Sequence, residues 1–408
     1  MYENLAILGT FVFLYSIVSG GLEKTPINGA LVFTGFGLLV GPLGLDLLTG
    51  DVDSEGLSTL AEVTLALLLF ADAATADLDK LKRFKQIPMR LLLIGLPLTI
   101  LLGFGAGVVL FSGLGLLEVA LLATMLAPTD AALGKAVVTN KTVPSNIRES
   151  LNVESGLNDG ICVPVLFLFL ALATKTGIEG GTTKLALTLL AEEIGIGAGV
   201  GVVLTLLGRE MLKHFGERGW VSETWLLVPI PALAVACFGT AQWIGGSGFI
   251  ACFVGGMLFG KIVSEQHKHK LLLAAEGTGD TLTLITWVVF GATVVFHYLD
   301  SLTWQVVVYA VLSLTLVRML PVFLVLTGLN IRTDEKLFMG WFGPRGLASV
   351  VFGVIVLHEH LPGGETITVT VVVTIILSVV LHGISANPLA DKLGARLKQV
   401  AGEEEVGG

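Results

Sequence analysis

The run Glu149-Ser150-Leu151-Asn152-Val153-Glu154-Ser155-Gly156-Leu157-Asn158-Asp159-Gly160 sets three carboxylates, two hydroxyls and two amides at the head of a long apolar stretch. Wound as a helix, spacings of three and four bring Ser155, Asn158 and Asp159 onto one stripe, with Glu154 beside it. A second acid, Asp130, sits in Ala127-Pro128-Thr129-Asp130, which interrupts the preceding apolar run. Hard cations prefer oxygen donors. Asp130 and Asp159 are therefore expected as a pair of anionic ligands, with the Ser155 hydroxyl and a carbonyl of unwound backbone near Thr129 beside them. Burial and a like-charged neighbour both favour the protonated form of a carboxylic acid. One such group can then hold a proton or a small cation, but not both, which is the chemistry of exchange. Helix–helix hydrogen bonding is the plain alternative, and adjacent carboxylates are a costly way to achieve it.

Asp72, in Leu69-Phe70-Ala71-Asp72-Ala73, is a third deep carboxylate, either an outer ligand or a satisfied polar contact. Arg345, in Gly343-Pro344-Arg345-Gly346, needs a partner at depth because a guanidinium cannot shed its proton. Glu154 is the expected partner, in a structural ion pair. Arg318 is expected to snorkel toward the membrane surface.

The elements that would position these groups are membrane helices. Of the 408 residues, 53% are hydrophobic and 14% charged, well short of the roughly 25% charged residues of soluble domains. Thirteen hydrophobic segments follow one another: 4–20, 26–49, 57–77, 87–112, 115–138, 147–174, 183–207, 221–243, 246–264, 278–298, 302–329, 337–358 and 366–389. Many are long enough to cross a bilayer as a helix. Twenty of the 24 Lys and Arg residues fall in one set of alternating loops, two (Lys175 and Lys184) in the other, and two inside apolar runs. The positive-inside rule then places the N-terminus outside and the C-terminus in the cytoplasm of a cell membrane.

The expected fold is an all-α polytopic membrane protein of about thirteen transmembrane helices. Segments one to six and eight to thirteen run in opposite senses, as in inverted-repeat transporters. The interruptions match: a proline breaks segment five at Pro128 and segment twelve at Pro344. The division expected is 1–86 (helices one to three), 87–174 (four to six), 175–220 (a linking helix seven), 221–301 (eight to ten), 302–389 (eleven to thirteen) and 390–408 (a short tail). The acidic, Gly-rich end from Ala401 to Gly408 is expected to be disordered.

The lipid bilayer is the expected partner and nucleic acid is not, since no basic patch is interleaved with aromatics. Cys162, Cys237 and Cys252 lie in apolar runs without a metal spacing, and no cofactor is expected. The first run has no basic flank and reads as a retained helix rather than a cleaved leader. An intramembrane aspartyl protease would account for Gly277-Thr278-Gly279-Asp280 and Pro231-Ala232-Leu233, but these stand in the wrong order, and Asp280 falls at an expected helix entrance. A sodium-coupled symporter would need a larger polar site, and a channel a continuous polar pore. His358 and His360, flanking Glu359, are expected to be solvated loop residues.

Thr129-Asp130, Glu154-Ser155, Asn158-Asp159 and Gly343-Pro344-Arg345-Gly346, with Pro26-Ile27-Asn28-Gly29, resemble the motifs of the monovalent cation/proton antiporter family over essentially the whole chain. They are most similar to its sodium/proton antiporters of prokaryotic NhaP type. The resemblance implies exchange of Na+, or of Li+ or K+, for H+. It implies a homodimer in which a six-helix core, segments four to six and eleven to thirteen, moves against the remaining interface helices. It assigns Asp159 as the ion carrier, assisted by Asp130, Ser155 and Thr129. The Asn158-Asp159 pair, with Glu154 and Arg345, resembles the electroneutral branch. Asp72 departs from the glutamate that many relatives carry nearby.

Overall fold

The computed structural model describes residues 2–22, 25, 28–48, 55–75, 86–130, 133, 135–138, 140, 142–175, 183–222, 224–263, 265–298 and 301–407. Lys24, Pro26, Ile27, Lys80, Lys82, Arg83, Lys85 and Lys141, all part of the sequence argument, lie outside them. Among the described residues the regular structure is entirely helical, and each of the thirteen apolar segments contributes helix. Among the described residues, eight helices are long and apolar enough to cross a bilayer: Tyr2–Leu22, Gly56–Thr75, Gln86–Leu110, Ser145–Thr174, Leu190–Glu217, Leu271–Tyr298, Trp304–Val325 and Gly364–Leu397. Gly29–Val40, Leu116–Met125, Gly248–Ile262 and Leu347–His358 are shorter apolar helices. In a lipid setting helices satisfy their own backbone, which is why the apolar runs take no other form.

Two sets of helix contacts stand out, joined to each other by contacts of segment three with six and twelve and of segment seven with six. Segments four, five and six pack on segments eleven, twelve and thirteen. Segment three packs on nine and ten, and seven on eight and nine. Close backbone approach in the second group depends on glycine. A Cβ at Gly256 would lie 2.3 Å from the carbonyl oxygen of Phe70. Segments three and six meet across the divide, where a Cβ on Gly156 would lie 3.7 Å from the Cβ of Asp72.

Segments five and twelve are broken where expected. Segment five is helical over Leu116–Met125 and again over Lys135–Val138. Segment twelve is helical over Thr333–Trp341 and Leu347–His358. Segment eleven has a further interruption at Thr315, between Trp304–Leu314 and Leu316–Val325, with φ −112° and ψ −95°.

Three expectations are corrected. The end of the chain is helical to Gly407, as part of the helix Gly364–Gly407, because extending a formed helix costs far less than nucleating one. Asp280 lies inside the helix Glu265–Val289 rather than at its entrance. His358 is the last residue of its helix and half-buried, with its ring 3.2 Å from the Ser58 hydroxyl on segment three and 2.8 Å from the Val354 carbonyl.

Candidate functional site

The two broken segments cross each other at their breaks. The Asp130 N–H donates to the Pro344 carbonyl at 2.8 Å. In return the Leu347 N–H, at the start of the helix Leu347–His358, donates to Asp130 Oδ2 at 3.1 Å. A helix N-terminus leaves its first N–H groups without internal partners and carries partial positive charge. The carboxylate supplied by segment five meets both needs of segment twelve. Leu133 N–H donates to the other oxygen, Oδ1, at 3.3 Å. Gly346 leaves room for this contact, since a Cβ there would stand 1.8 Å from Asp130 Oδ2.

Arg345 performs the opposite service. Fully buried, it directs Nη1 at the carbonyls of Ala127 (2.9 Å) and Pro128 (3.1 Å), just past the end of the helix Leu116–Met125. Its Nη2 lies 3.5 Å from the Ser313 carbonyl in the last turn of Trp304–Leu314. Helix C-termini present unpaired carbonyls and partial negative charge, so one guanidinium satisfies the ends of two interrupted helices. The Ser349 hydroxyl adds a bond to the Met125 carbonyl at 2.7 Å.

The expected Glu154–Arg345 pair is therefore corrected. Glu154 forms a two-pronged ion pair with Arg318, at 2.5 and 2.8 Å, and both side chains are only 2% exposed. Arg318 does not snorkel. It stands in the first turn of the helix Leu316–Val325, where the unpaired backbone groups are N–H donors rather than carbonyls, and it pairs with a side-chain anion. Arg345, in a break, finds backbone carbonyls instead.

Segment six, helical over Ser145–Lys175, closes the site. Asn158 Nδ2 donates to the Thr129 hydroxyl at 2.7 Å, and that hydroxyl lies 3.1 Å from Ser155 Oγ. The stripe expected from the spacing thus grips the break in segment five. Asn158 is fully buried, Thr129 and Ser155 nearly so. Two oxygens of this stripe, Asn158 Oδ1 and Asp159 Oδ1, are buried and accept no hydrogen bond. Asp159 is within electrostatic reach of Asp130 and Asp72, and Asp72 of Asp130, Glu276 and Asp280.

Of the expected residues, Thr129, Asp130, Ser155 and Asn158 meet at the crossing, Asp159 faces it electrostatically, and Asp72 lies across from Gly156. The sequence reading missed Glu276 and weighed Asp280 only for a protease; both stand on the helix Glu265–Val289, where their spacing of four marks one helical stripe. It also missed Ser378 and His382 on segment thirteen, the same spacing inside an apolar run.

Comparison with known proteins identifies the family and the fold. The family described as sodium/hydrogen exchanger, transmembrane, matches residues 9–392. A probable Na(+)/H(+) antiporter of Schizosaccharomyces pombe is 26% identical over 369 residues, covering 85% of this chain and 47% of its own length. The K(+)/H(+) antiporter NhaP of Alkalimonas amylolytica is 25% identical over 421 residues, covering 99% of this chain and 69% of its own. This chain spans about half the length of several curated relatives. The structure of the sodium proton antiporter MjNhaP1 from Methanocaldococcus jannaschii superposes with a TM-score of 0.75 at 24% identity, over 96% of this chain and 98% of that one.

Proposed function

We propose that this chain, a multi-pass membrane protein that belongs to the sodium/hydrogen exchanger transmembrane family, exchanges sodium for protons at Asp159. The observation that carries the reading is the pair of buried oxygens, Asn158 Oδ1 and Asp159 Oδ1, that receive no donor. A buried acceptor without a partner is costly. A cation or a proton arriving at Asp159 removes that cost, and because both use the same carboxylate they compete. Asn158 is neutral, so a single carboxylate on segment six changes occupancy. One positive charge then crosses in each direction, and exchange is electroneutral. Thr129 and Ser155 hydroxyls and Asp130 line the approach, and Asp72, with Glu276 and Asp280 behind it, attracts cations toward it.

The packing supports a core of segments four to six and eleven to thirteen that moves against the other helices. We assign the remaining features on the resemblance: a homodimer in a cell membrane, N-terminus outside and C-terminus cytoplasmic.

Flux in proteoliposomes carrying a pH dye tests the reading, with sodium, lithium and potassium as separate arms. Asp159→Asn should abolish exchange while leaving the protein folded, because an amide neither releases a proton nor balances a cation. In the wild type, acidification should raise the apparent KM for sodium by up to about tenfold per pH unit, the mass-action limit for one titrating group, with little change in maximal rate. Half the wild-type flux in the Asn variant, or a KM that stays flat across two pH units, would remove Asp159 from its role.

A further inference from the structure

The break in segment twelve, residues 342–346, has no regular helix, so other parts of the molecule hold its backbone. Two of the holding contacts belong to Asp130: its N–H on the Pro344 carbonyl and its Oδ2 on the Leu347 N–H. The third lies between them. The Arg345 N–H donates to Ser378 Oγ on segment thirteen at 2.7 Å.

One turn further along segment thirteen stands His382, 1% exposed in an apolar helix. Its Nε2 is 2.8 Å from the Trp341 carbonyl, the last of the helix Thr333–Trp341, which also accepts the Gly343 N–H at 2.8 Å. Its Nδ1 is 3.3 Å from Ser378 Oγ and 2.9 Å from the Ser378 carbonyl. The ring stacks on the Trp341 indole at 5.1 Å, and the indole N–H donates to Ser385 Oγ at 2.9 Å. Each nitrogen thus faces a carbonyl, which can only accept, and the neutral ring carries its one hydrogen toward one of the two. The Ser378 hydroxyl accepts from the Arg345 N–H and lies within hydrogen-bond reach of Nδ1. Arg345 and Arg318 are the charged groups that bear on the ring.

We propose that His382 is a positioning residue for cation exchange. Through the Trp341 carbonyl at one end of the break and Ser378 at its middle, it fixes the backbone that presents the Pro344 carbonyl and the Leu347 N–H to Asp130. Burial obliges the ring to find polar partners, and those it finds are the Trp341 carbonyl at the start of the break and Ser378, which holds the Arg345 N–H within it. The proposal rests on the exchange reading above, and its consequence is specific. Loosening the break disturbs Asp130 and weakens cation binding, whereas loss of packing alone lowers only the amount of folded protein.

The test uses the purified full chain of wild type, His382→Leu, His382→Gln and Ser378→Ala. Sodium KM and maximal rate per folded transporter are measured in proteoliposomes, and hydrogen–deuterium exchange is followed in peptides covering 342–350. Leucine should raise the sodium KM about fivefold, what one net hydrogen bond is worth, and speed amide exchange across 342–350. Glutamine, which can donate to Trp341 and accept from Ser378, should stay within about twofold of wild type on both readouts. Ser378→Ala should raise KM in the same direction while keeping the ring, and it decides the matter if the leucine variant does not fold. An unchanged KM in the alanine variant and in any folded leucine variant, with or without faster amide exchange, overturns the proposal. If the wild type moves no cation, the exchange reading fails. Amide exchange at 342–350 then still reports whether His382 holds the break, and an unaltered pattern in the folded variants overturns that hold.

Discussion

Glu154 and Arg318 offer a test in which the two partners should behave unequally. Each side chain is 2% exposed and the pair is joined by two charge-assisted bonds. Removing one partner of a buried pair costs about 3–5 kcal/mol, because the other charge is stranded. The stranded groups differ. A lone Glu154 can neutralise itself by taking up a proton, whereas a lone Arg318 cannot release one. Glu154→Gln should therefore fall at the upper end of that range and Arg318→Met toward the lower end or below it. The Arg318→Met variant should recover relative to wild type as pH falls, and Glu154→Gln should not. Melting in detergent, followed by the intrinsic fluorescence of the six tryptophans, reads the difference. For chains of about 150–250 residues 1 kcal/mol moves the midpoint by roughly 2–4 °C, so shifts of several degrees are expected in this larger chain. The double variant Glu154→Gln/Arg318→Met should regain much of the loss, whereas Glu154→Gln/Arg345→Met should lose more than either single change. Additive losses for Glu154 with Arg318, or recovery with Arg345 instead, would refute the pairing.

Asp130→Asn keeps an oxygen for the Leu347 N–H but removes the charge facing a helix N-terminus. With that charge worth up to about 2 kcal/mol in partly buried settings, sodium exchange should fall by as much as about thirtyfold, read as flux per folded protein. Gly346→Ala drives a Cβ to 1.8 Å from Asp130 Oδ2. It should lose exchange and melt earlier, while Gly105→Ala, whose Cβ would meet nothing within 4 Å, should match wild type in both assays. Thr129→Val strands the buried Asn158 amide donor at a cost of about 1–3 kcal/mol. Its loss of thermal stability should be absent from Thr129→Ser, which keeps the hydroxyl.

Much of the site is legible in the amino-acid sequence because local rules fix it. Ser155, Asn158 and Asp159 share a stripe through helical spacing alone, and proline with glycine marks both breaks. The partner of Glu154 is not legible in the same way, because Arg318 and Arg345 both fall inside apolar runs and composition ranks neither above the other. The distinction is a matter of backbone state. An arginine flanked by Pro344 and Gly346 sits among carbonyls that the break has freed, so it needs no acid. Arg318, in the first turn of its helix, has N–H groups rather than free carbonyls around it and pairs with a carboxylate. That rule can be applied to sequence. The contacts of Ser378 and His382 cannot be reached that way, since they depend on which helix packs beside segment twelve.

The crossing also separates two acids that the sequence presents as equals. Asp130 and Asp159 are the same chemical group, both at membrane depth and near each other. Asp130 is engaged, with the N–H groups of Leu133 and Leu347 donating to its two oxygens. A cation binding there would compete with a helix N-terminus for the same charge. Asp159 Oδ1 has no such donor, and its helix can carry it without unmaking another helix's cap. The arrangement favours a division of labour in which Asp130 holds the broken helices in register and supplies a fixed negative field, while Asp159 alternates between proton and cation. Asp130→Asn and Asp159→Asn should then fail differently: the first with a lowered melting point and residual flux, the second with a wild-type melting point and none. Equal stability and equal residual flux in the two variants would mean that the carboxylates share one role.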